Sequence, residues 1–226
     1  MENKLIRVAI DGPSGAGKSS LAKGVASRMG FTYVDTGAIY RTVGLAAQKR
    51  GISSKDADAV KALLPELEIE IKHINGVQCM FLWGENVSEE IRTPISSIYA
   101  SDVSAMPAVR AYLLEMQRDI AGRSNVVMDG RDIGTVVMPD AELKIFLTAT
   151  IEERARRRYN ELKEKGDASS FEEVLADLAY RDKQDTERET APLRPAEDAV
   201  LIDNSGMTLQ EGIDKICGLI EERRSK

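Results

Sequence analysis

The sequence predicts an α/β fold built on a central parallel sheet, and three observations carry that expectation. Strand, glycine-rich loop, helix, strand and helix follow one another at the start of the chain. Short apolar runs at Asn125-Val-Val-Met128, Leu143-Lys-Ile-Phe-Leu147 and Val200-Leu-Ile202 later alternate with helical periodicity. Between these two stretches stands an antiparallel hairpin pattern, which marks an insert in the parallel fold.

Each element has its own signal. Leu5-Ile-Arg-Val-Ala-Ile10 is rich in β-branched residues and reads as a short buried strand. Gly12-Pro-Ser-Gly-Ala-Gly17 cannot continue a strand and forms a loop. Leu21, Val25 and Met29 recur at four-residue spacing, which predicts a helix from Lys18 to Met29. A strand follows over Phe31 to Val34, and a helix from about Ala38 to Arg50. Leu67, Ile69 and Ile71 then alternate with Glu68, Glu70 and Lys72, Asn75-Gly76 is a type I′ turn signal, and Val77 to Trp83 returns. Prolines open two helices, Pro94 to Ala105 and Pro107 to Ala121. After the strand at Asn125 to Met128 and the strand at Leu143 to Leu147, helices are expected over Ile151 to Lys165 and Phe171 to about Glu189. Val200 to Ile202 is a last strand and Leu209 to Arg223 a last helix.

Composition narrows the function. The 226 residues suit one large domain, or one domain with an insert. Cys79 and Cys217 lack any CxxC or Cys/His neighbour, which excludes a disulfide scaffold and a paired-ligand zinc site. No apolar run approaches the roughly 18 residues that span a bilayer, and no signal-peptide pattern is present, so a cytoplasmic protein without membrane contact is expected. A net charge of −6 argues against broad binding to nucleic acid polymers. Yet 18 of the 31 cations are arginines, the better bidentate partner for phosphate.

Gly12-Pro-Ser-Gly-Ala-Gly17-Lys18-Ser19 matches GxxxxGK[ST] at every position, with a strand before it and a helix after it. Its glycines let backbone N–H groups turn inward around an anion, and the helix start adds partial positive charge. Lys18 is expected to reach the outer phosphates, and the Ser19 hydroxyl to ligate Mg²⁺. The chain therefore binds a nucleoside triphosphate through a P-loop. Two classes remain open: a phosphotransferase, or a nucleotide switch or motor whose acceptor is water. No NKxD guanine reader exists, and the DxxG at Asp203-Asn-Ser-Gly206 comes too late for a switch beside the loop.

A small kinase needs a second anion site, and three segments offer cations. Asp35-Thr-Gly-Ala-Ile-Tyr-Arg41 places Thr36 and Arg41 at a helix start. In Asp129-Gly-Arg-Asp-Ile-Gly134, Asp129 ends a strand where a P-loop fold holds its Mg²⁺-side carboxylate, and Arg131 and Asp132 follow at the carboxyl edge of the sheet. Arg154, Arg157 and Arg158 fall at i, i+3, i+4 of one helix, and Arg181, Asp185 and Arg188 at i, i+4, i+7 of the next, so each set is expected to share a face. The only histidine, His73, lies in the insert and reads as structural. Transfer to a phosphate acceptor needs no strong general base, because the acceptor oxygen is already anionic.

These residues carry a resemblance. The chain resembles the bacterial cytidylate (CMP/dCMP) kinases over essentially its whole length, through Ile10-Asp-Gly-Pro-Ser-Gly-Ala-Gly-Lys18, Asp35-Thr-Gly-Ala-Ile-Tyr-Arg41, Asp129-Gly-Arg-Asp-Ile-Gly-Thr-Val-Val137, Pro139-Asp-Ala141, Lys144-Ile-Phe-Leu147 and Arg181-Asp-Lys-Gln-Asp-Thr-Glu-Arg188 before Ala191-Pro-Leu193. It departs from the family's common pattern at Ser19-Ser20 and at Thr36, keeping a hydroxyl in both places. The resemblance implies a three-layer α/β/α P-loop kinase fold, one domain over residues 1–226. It implies a helical lid at about 151–168 and an antiparallel β insert at about 65–92 in the monophosphate-binding region. The implied reaction moves the γ-phosphoryl group of ATP to CMP or dCMP with Mg²⁺, in a monomer. UMP or AMP is the alternative acceptor.

Site roles follow from the same resemblance. Gly12, Pro13, Ser14, Gly15, Ala16, Gly17, Lys18, Ser19, Ser20 and Arg157 hold ATP. Arg41, Arg131 and Arg188 clamp the CMP phosphate, with Thr36 close by. Ser101, Arg110 and Asp132 read cytosine, and Arg181 and Asp185 face the ribose and phosphate. Lys18, Arg131, Arg188, Arg154 and Arg158 act on the transferring group, while Ser19 and Asp129 serve the metal.

Overall fold

The computed structural model describes residues 5–164 and 166–225. Residues 1–4 of the expected domain and Lys165, the expected end of the lid helix, lie outside the described residues. In chain order the elements are β1 (Arg7–Asp11), α1 (Lys18–Met29), β2 (Thr32–Asp35), α2 (Thr36–Lys49), α3 (Ala57–Leu63), β3 (Ile69–Ile74), β4 (Val77–Leu82), β5 (Glu85–Asn86), α4 (Pro94–Ser104), α5 (Pro107–Ala121), β6 (Val126–Gly130), β7 (Leu143–Thr148), α6 (Ile151–Glu164), α7 (Phe171–Glu187), β8 (Val200–Asp203) and α8 (Leu209–Arg224). None of the described helices is long and apolar enough to cross a membrane.

The chain divides into two compact units, the first comprising Met1–Tyr33 and Ser124–Lys226, the second Val34–Arg123. The first unit holds the strands β6-β1-β7-β8 of a sheet in which β2 follows beyond β6, with β1 parallel to both β6 and β7, and β7 parallel to β8. β1 is central because its residues are apolar on both faces: Val8, Ala9 and Ile10 are fully buried. α1 and α8 lay Leu21, Val25, Ile213, Ile216 and Ile220 against Ile10, Ile145 and Leu147. Each such aliphatic side chain contributes about 1.5–3 kcal/mol on leaving water. Capping boxes at Ser170/Glu173 and Thr208/Glu211 fix the starts of α7 and α8. The fold is thus a P-loop α/β architecture, and the carboxyl ends of β1 and β6 lie side by side, with Asp11 opposite Gly130.

The second unit is built on α2, α4 and α5 with the antiparallel sheet β3-β4-β5. α2 and α4 approach closely: a Cβ on Gly44 would stand 2.8 Å from Tyr99 Cβ, so a larger residue would force the helices apart. The hairpin turn has positive φ at both Asn75 (52°) and Gly76 (77°), the type I′ geometry its sequence signals. α3 and the short strand β5 go beyond the sequence expectation. α3 starts at the Asp56 cap, whose carboxylate accepts from Ala59 N at 3.0 Å, within a polar run that carries little helical periodicity.

Candidate active site

The loop leaving β1 turns back on itself at Gly12, whose φ of 151° comes with a close approach: a Cβ there would lie 2.0 Å from the Leu147 carbonyl oxygen. Gly17 (φ 91°) then starts α1. Two side chains brace the loop from within the same unit. Asn204 Nδ2 donates to the Ala16 carbonyl at 2.9 Å, and Arg154 Nη1 donates to the Ser14 carbonyl at 2.9 Å. Lys18 is buried and donates to the Pro13 carbonyl at 2.8 Å. Burial first, then repulsion from Arg131, lowers its ammonium to about 7. Added anionic phosphate oxygens would restore its charge.

Ser19 Oγ donates to Asp129 Oδ2 at 2.9 Å, and Tyr33 Oη donates to the other oxygen, Oδ1, at 2.8 Å. A hydroxyl beside an oriented carboxylate suits a hard cation such as Mg²⁺. No cluster of three or more His, Cys, Asp or Glu that could cage a metal occurs among the described residues. The pair therefore fits an ion held mainly by phosphate and water oxygens.

Next to the loop, the first unit gathers two of the expected phosphate cations around one carboxylate. Arg131 Nε donates to Asp185 Oδ2 at 2.7 Å and its Nη2 to Ser14 Oγ at 2.9 Å. Arg188 Nη1 lies 3.7 Å from Asp185 Oδ1, and its Nη2 3.4 Å from Asp132 Oδ1. Burial alone would raise the Asp185 carboxyl, but Arg131, Arg188 and Arg181 hold it below the usual carboxylate range. The same pairing keeps Arg131 above its ordinary value despite burial. Arg181 reaches Asp177 at 3.9 Å, and burial followed by repulsion from Arg131 lowers it.

Arg181, Asp185 and Arg188, expected on one stripe, meet at the Asp185 carboxylate, although the helix does not carry the last of them. α7 stops at Glu187, and Arg188 takes extended backbone (φ −61°, ψ 139°). From there its Nε donates at 2.7 Å to the carbonyl of Ala191, a residue in the left-handed region (φ 53°), while Nη1 stays near Asp185. On the face expected for Arg154, Arg157 and Arg158, each guanidinium finds its own partners. Arg154 points inward, donating to Ala149 O (3.0 Å), Ser14 O (2.9 Å) and Asp182 Oδ2 (2.6 Å). Arg157 donates to the Asn204 carbonyl at 2.7 Å and to Glu153, and Arg158 to Glu161 at 2.8 Å. The three like charges are held apart by separate acceptors.

Within the second unit, Thr36 is buried at the start of α2, behind the Asp35 cap. The Asp35 carboxylate accepts from Ala38 N (3.0 Å) and pairs with Arg41 Nη2 (2.8 Å). Arg110 is buried, donates to the Ser104 carbonyl at 3.1 Å, and stacks 5.5 Å from the Tyr40 ring centre. Ser101 lies on the same helix as Ser104, whose hydroxyl caps the Ser101 carbonyl at 2.9 Å.

Several residues at these places have no role in the sequence reading. Asp11, Tyr33, Asn204 and Asp182 hold the loop, the metal-side carboxylate or an arginine. A polar residue closing an otherwise apolar buried strand is the signal that marks Asp11. In the insert, Gln78 accepts from Asp35 N at 2.7 Å and donates to Asp35 O at 3.2 Å, so the hairpin anchors the residue that pairs with Arg41. His73 is exposed on β3.

Comparison with known proteins gives concordant results. Residues 8–222 match the family model described as cytidylate kinase. A cytidylate kinase of Caldicellulosiruptor saccharolyticus is 49% identical over 216 residues, covering 96% of each chain. One from Caldicellulosiruptor bescii is 50% identical over 216 residues with the same coverage. Among solved structures, an uncharacterized protein from Eubacterium ventriosum shares the fold at a TM-score of 0.54 and 14% identity, covering 97% of this chain and 99% of the other.

Proposed function

The chain belongs to the cytidylate kinase family, and from that premise we propose that it transfers the γ-phosphoryl group of ATP to CMP or dCMP, giving ADP and the diphosphate. The observation that supports a phosphate acceptor most directly is Asp185 bridging Arg131 and Arg188 beside the P-loop. One carboxylate holds two guanidinium groups together before substrate arrives, which gathers positive charge for an anion beside the loop.

Phosphoryl transfer asks little covalent chemistry of the protein; positioning and charge neutralisation do the work. Gly12 through Ser20 cradle the triphosphate, and Lys18 exchanges the Pro13 carbonyl for phosphate oxygens. Mg²⁺, when bound through Ser19 and Asp129, neutralises charge developing on the phosphates. Arg131 and Arg188, with Arg41 and Thr36, bind the acceptor phosphate. Arg154 acts through the Ser14 carbonyl that it holds, while Arg157 and Arg158 supply charge on the ATP side. Asp132, Ser101 and Arg110 read the base, and Arg181 and Asp185 face the ribose and phosphate. Transfer is direct and in line, with no covalent intermediate. The chain acts as a cytoplasmic monomer and as one kinase domain, with an insert at about 65–92 and a lid at about 151–168.

Coupled measurement of ADP release from Mg·ATP with CMP, dCMP, UMP, AMP or no acceptor tests this reading. CMP and dCMP are expected to raise the rate by orders of magnitude over the acceptor-free rate. Equal rates with and without CMP would eliminate the kinase, and a faster rate with UMP or AMP would reassign the acceptor.

A further inference from the structure

The segment after β6 carries both Arg131 and Asp132 and then coils into a short, wide turn over Ile133–Val137. Such a turn leaves its first N–H groups without partners in its own backbone, and a buried N–H left unpaired costs about 1–3 kcal/mol. Asp132 occupies the capping position, yet its side chain makes no capping bond. Its carboxylate faces Arg188 instead, at 3.4 Å. The cap comes from another strand. Asp11, the last residue of β1, accepts from Ile133 N at 2.8 Å through Oδ1 and from Gly134 N at 2.7 Å through Oδ2.

This bond pair is tightly enclosed. Asp11 is 4% exposed, and a Cβ on Gly134 would lie 3.3 Å from both Asp11 Oδ2 and the Lys144 chain. Asp11 also immediately precedes Gly12, so one residue closes the strand that delivers the P-loop and ties down the turn that delivers Arg131 and Asp132. The same burial pushes its carboxyl up to about 6, against the pull of the two amides.

We propose that Asp11 is a positioning residue for the acceptor side of the site: it caps the Ile133–Val137 turn from the neighbouring strand, which leaves the Asp132 carboxylate to the substrate side and fixes Arg131. The proposal rests on the cytidylate kinase reading of Arg131 and Asp132. Its signature is an asymmetry. Asp11 adjoins the ATP loop in sequence, yet its loss should fall on CMP.

Asp11→Asn replaces one acceptor oxygen by an amide donor that opposes a backbone N–H. In the variant KM for CMP should rise about tenfold or more, while KM for ATP stays within about twofold, since misplacing a group by about 1 Å costs up to about a hundredfold. Hydrogen exchange provides a readout that needs no substrate. The Ile133 and Gly134 amides should exchange about 10- to 100-fold faster, with the amides of Gly15 and Gly17 unchanged. If Asp11→Asn does not fold, Asp11→Ser, whose shorter hydroxyl reaches neither amide and adds no opposing donor, should give the same pattern. A KM for ATP that rises as much as that for CMP, or unchanged exchange at Ile133 and Gly134, would overturn the proposal. Absence of CMP-dependent turnover in the unaltered enzyme would overturn the kinase reading instead, and exchange would still decide whether Asp11 holds the turn.

Discussion

Arg131→Met should lower turnover with CMP about 10²- to 10³-fold, the loss typical of removing one preorganised donor from a developing charge. Affinity for ATP should change by no more than about twofold. Arg131 donates to the P-loop at the Ser14 hydroxyl, and its charge works against Lys18 by lowering the neighbouring ammonium. Removing it relieves that repulsion, so the triphosphate site loses one hydrogen bond and regains cationic character at Lys18. Asp185 keeps Arg188 as a partner at 3.7 Å, which limits the cost of the vacated ion pair. Pre-steady-state turnover with ATP binding measured on the same preparation checks both halves. Unchanged turnover would take Arg131 out of the clamp.

Asp132→Asn should reduce the preference for CMP over UMP about a hundredfold. A carboxylate accepts from the exocyclic amine of cytosine and opposes the O4 of uracil, acceptor against acceptor. The amide of asparagine can turn its NH₂ toward O4 and so removes that opposition. The variant also weakens the Arg188 contact and will lower turnover with both substrates. The ratio of kcat/KM values is therefore the informative quantity, because losses common to both substrates cancel in it. A CMP/UMP ratio equal to that of the parent enzyme would leave Asp132 as a partner of Arg188 without a part in reading the base.

Much of the fold was legible because local pattern and tertiary role coincide. α1 runs from Lys18 to Met29 as its four-residue spacing requires, and α5 starts at Pro107, where proline's missing N–H costs nothing. The expectation fails where the determinant comes from elsewhere in the chain. The Ile133–Val137 turn depends on the carboxylate of Asp11, more than a hundred positions away, and no local periodicity encodes it. Arg154 turns inward because Asp182 and the Ser14 carbonyl await it, whereas helical spacing alone groups it with Arg157 and Arg158. Arg188 reaches Asp185 from extended backbone rather than from the helix, because α7 ends one residue earlier, a boundary too fine for sequence pattern. The P-loop was legible because a phosphate-cradling turn between strand and helix demands particular residue types at fixed spacing. What sequence does not carry is their charge balance: a protein of net charge −6 sets Asp185 between two of its arginines and so keeps a cationic centre folded before any phosphate binds.

The most direct test of phosphoryl transfer to a nucleoside monophosphate follows the phosphorus atom itself. With ATP labelled at the γ position, Mg²⁺ and CMP, the label should appear in the β phosphorus of CDP, with little in inorganic phosphate. Label recovered chiefly as inorganic phosphate, at a rate indifferent to CMP, would contradict the assignment and make water the acceptor.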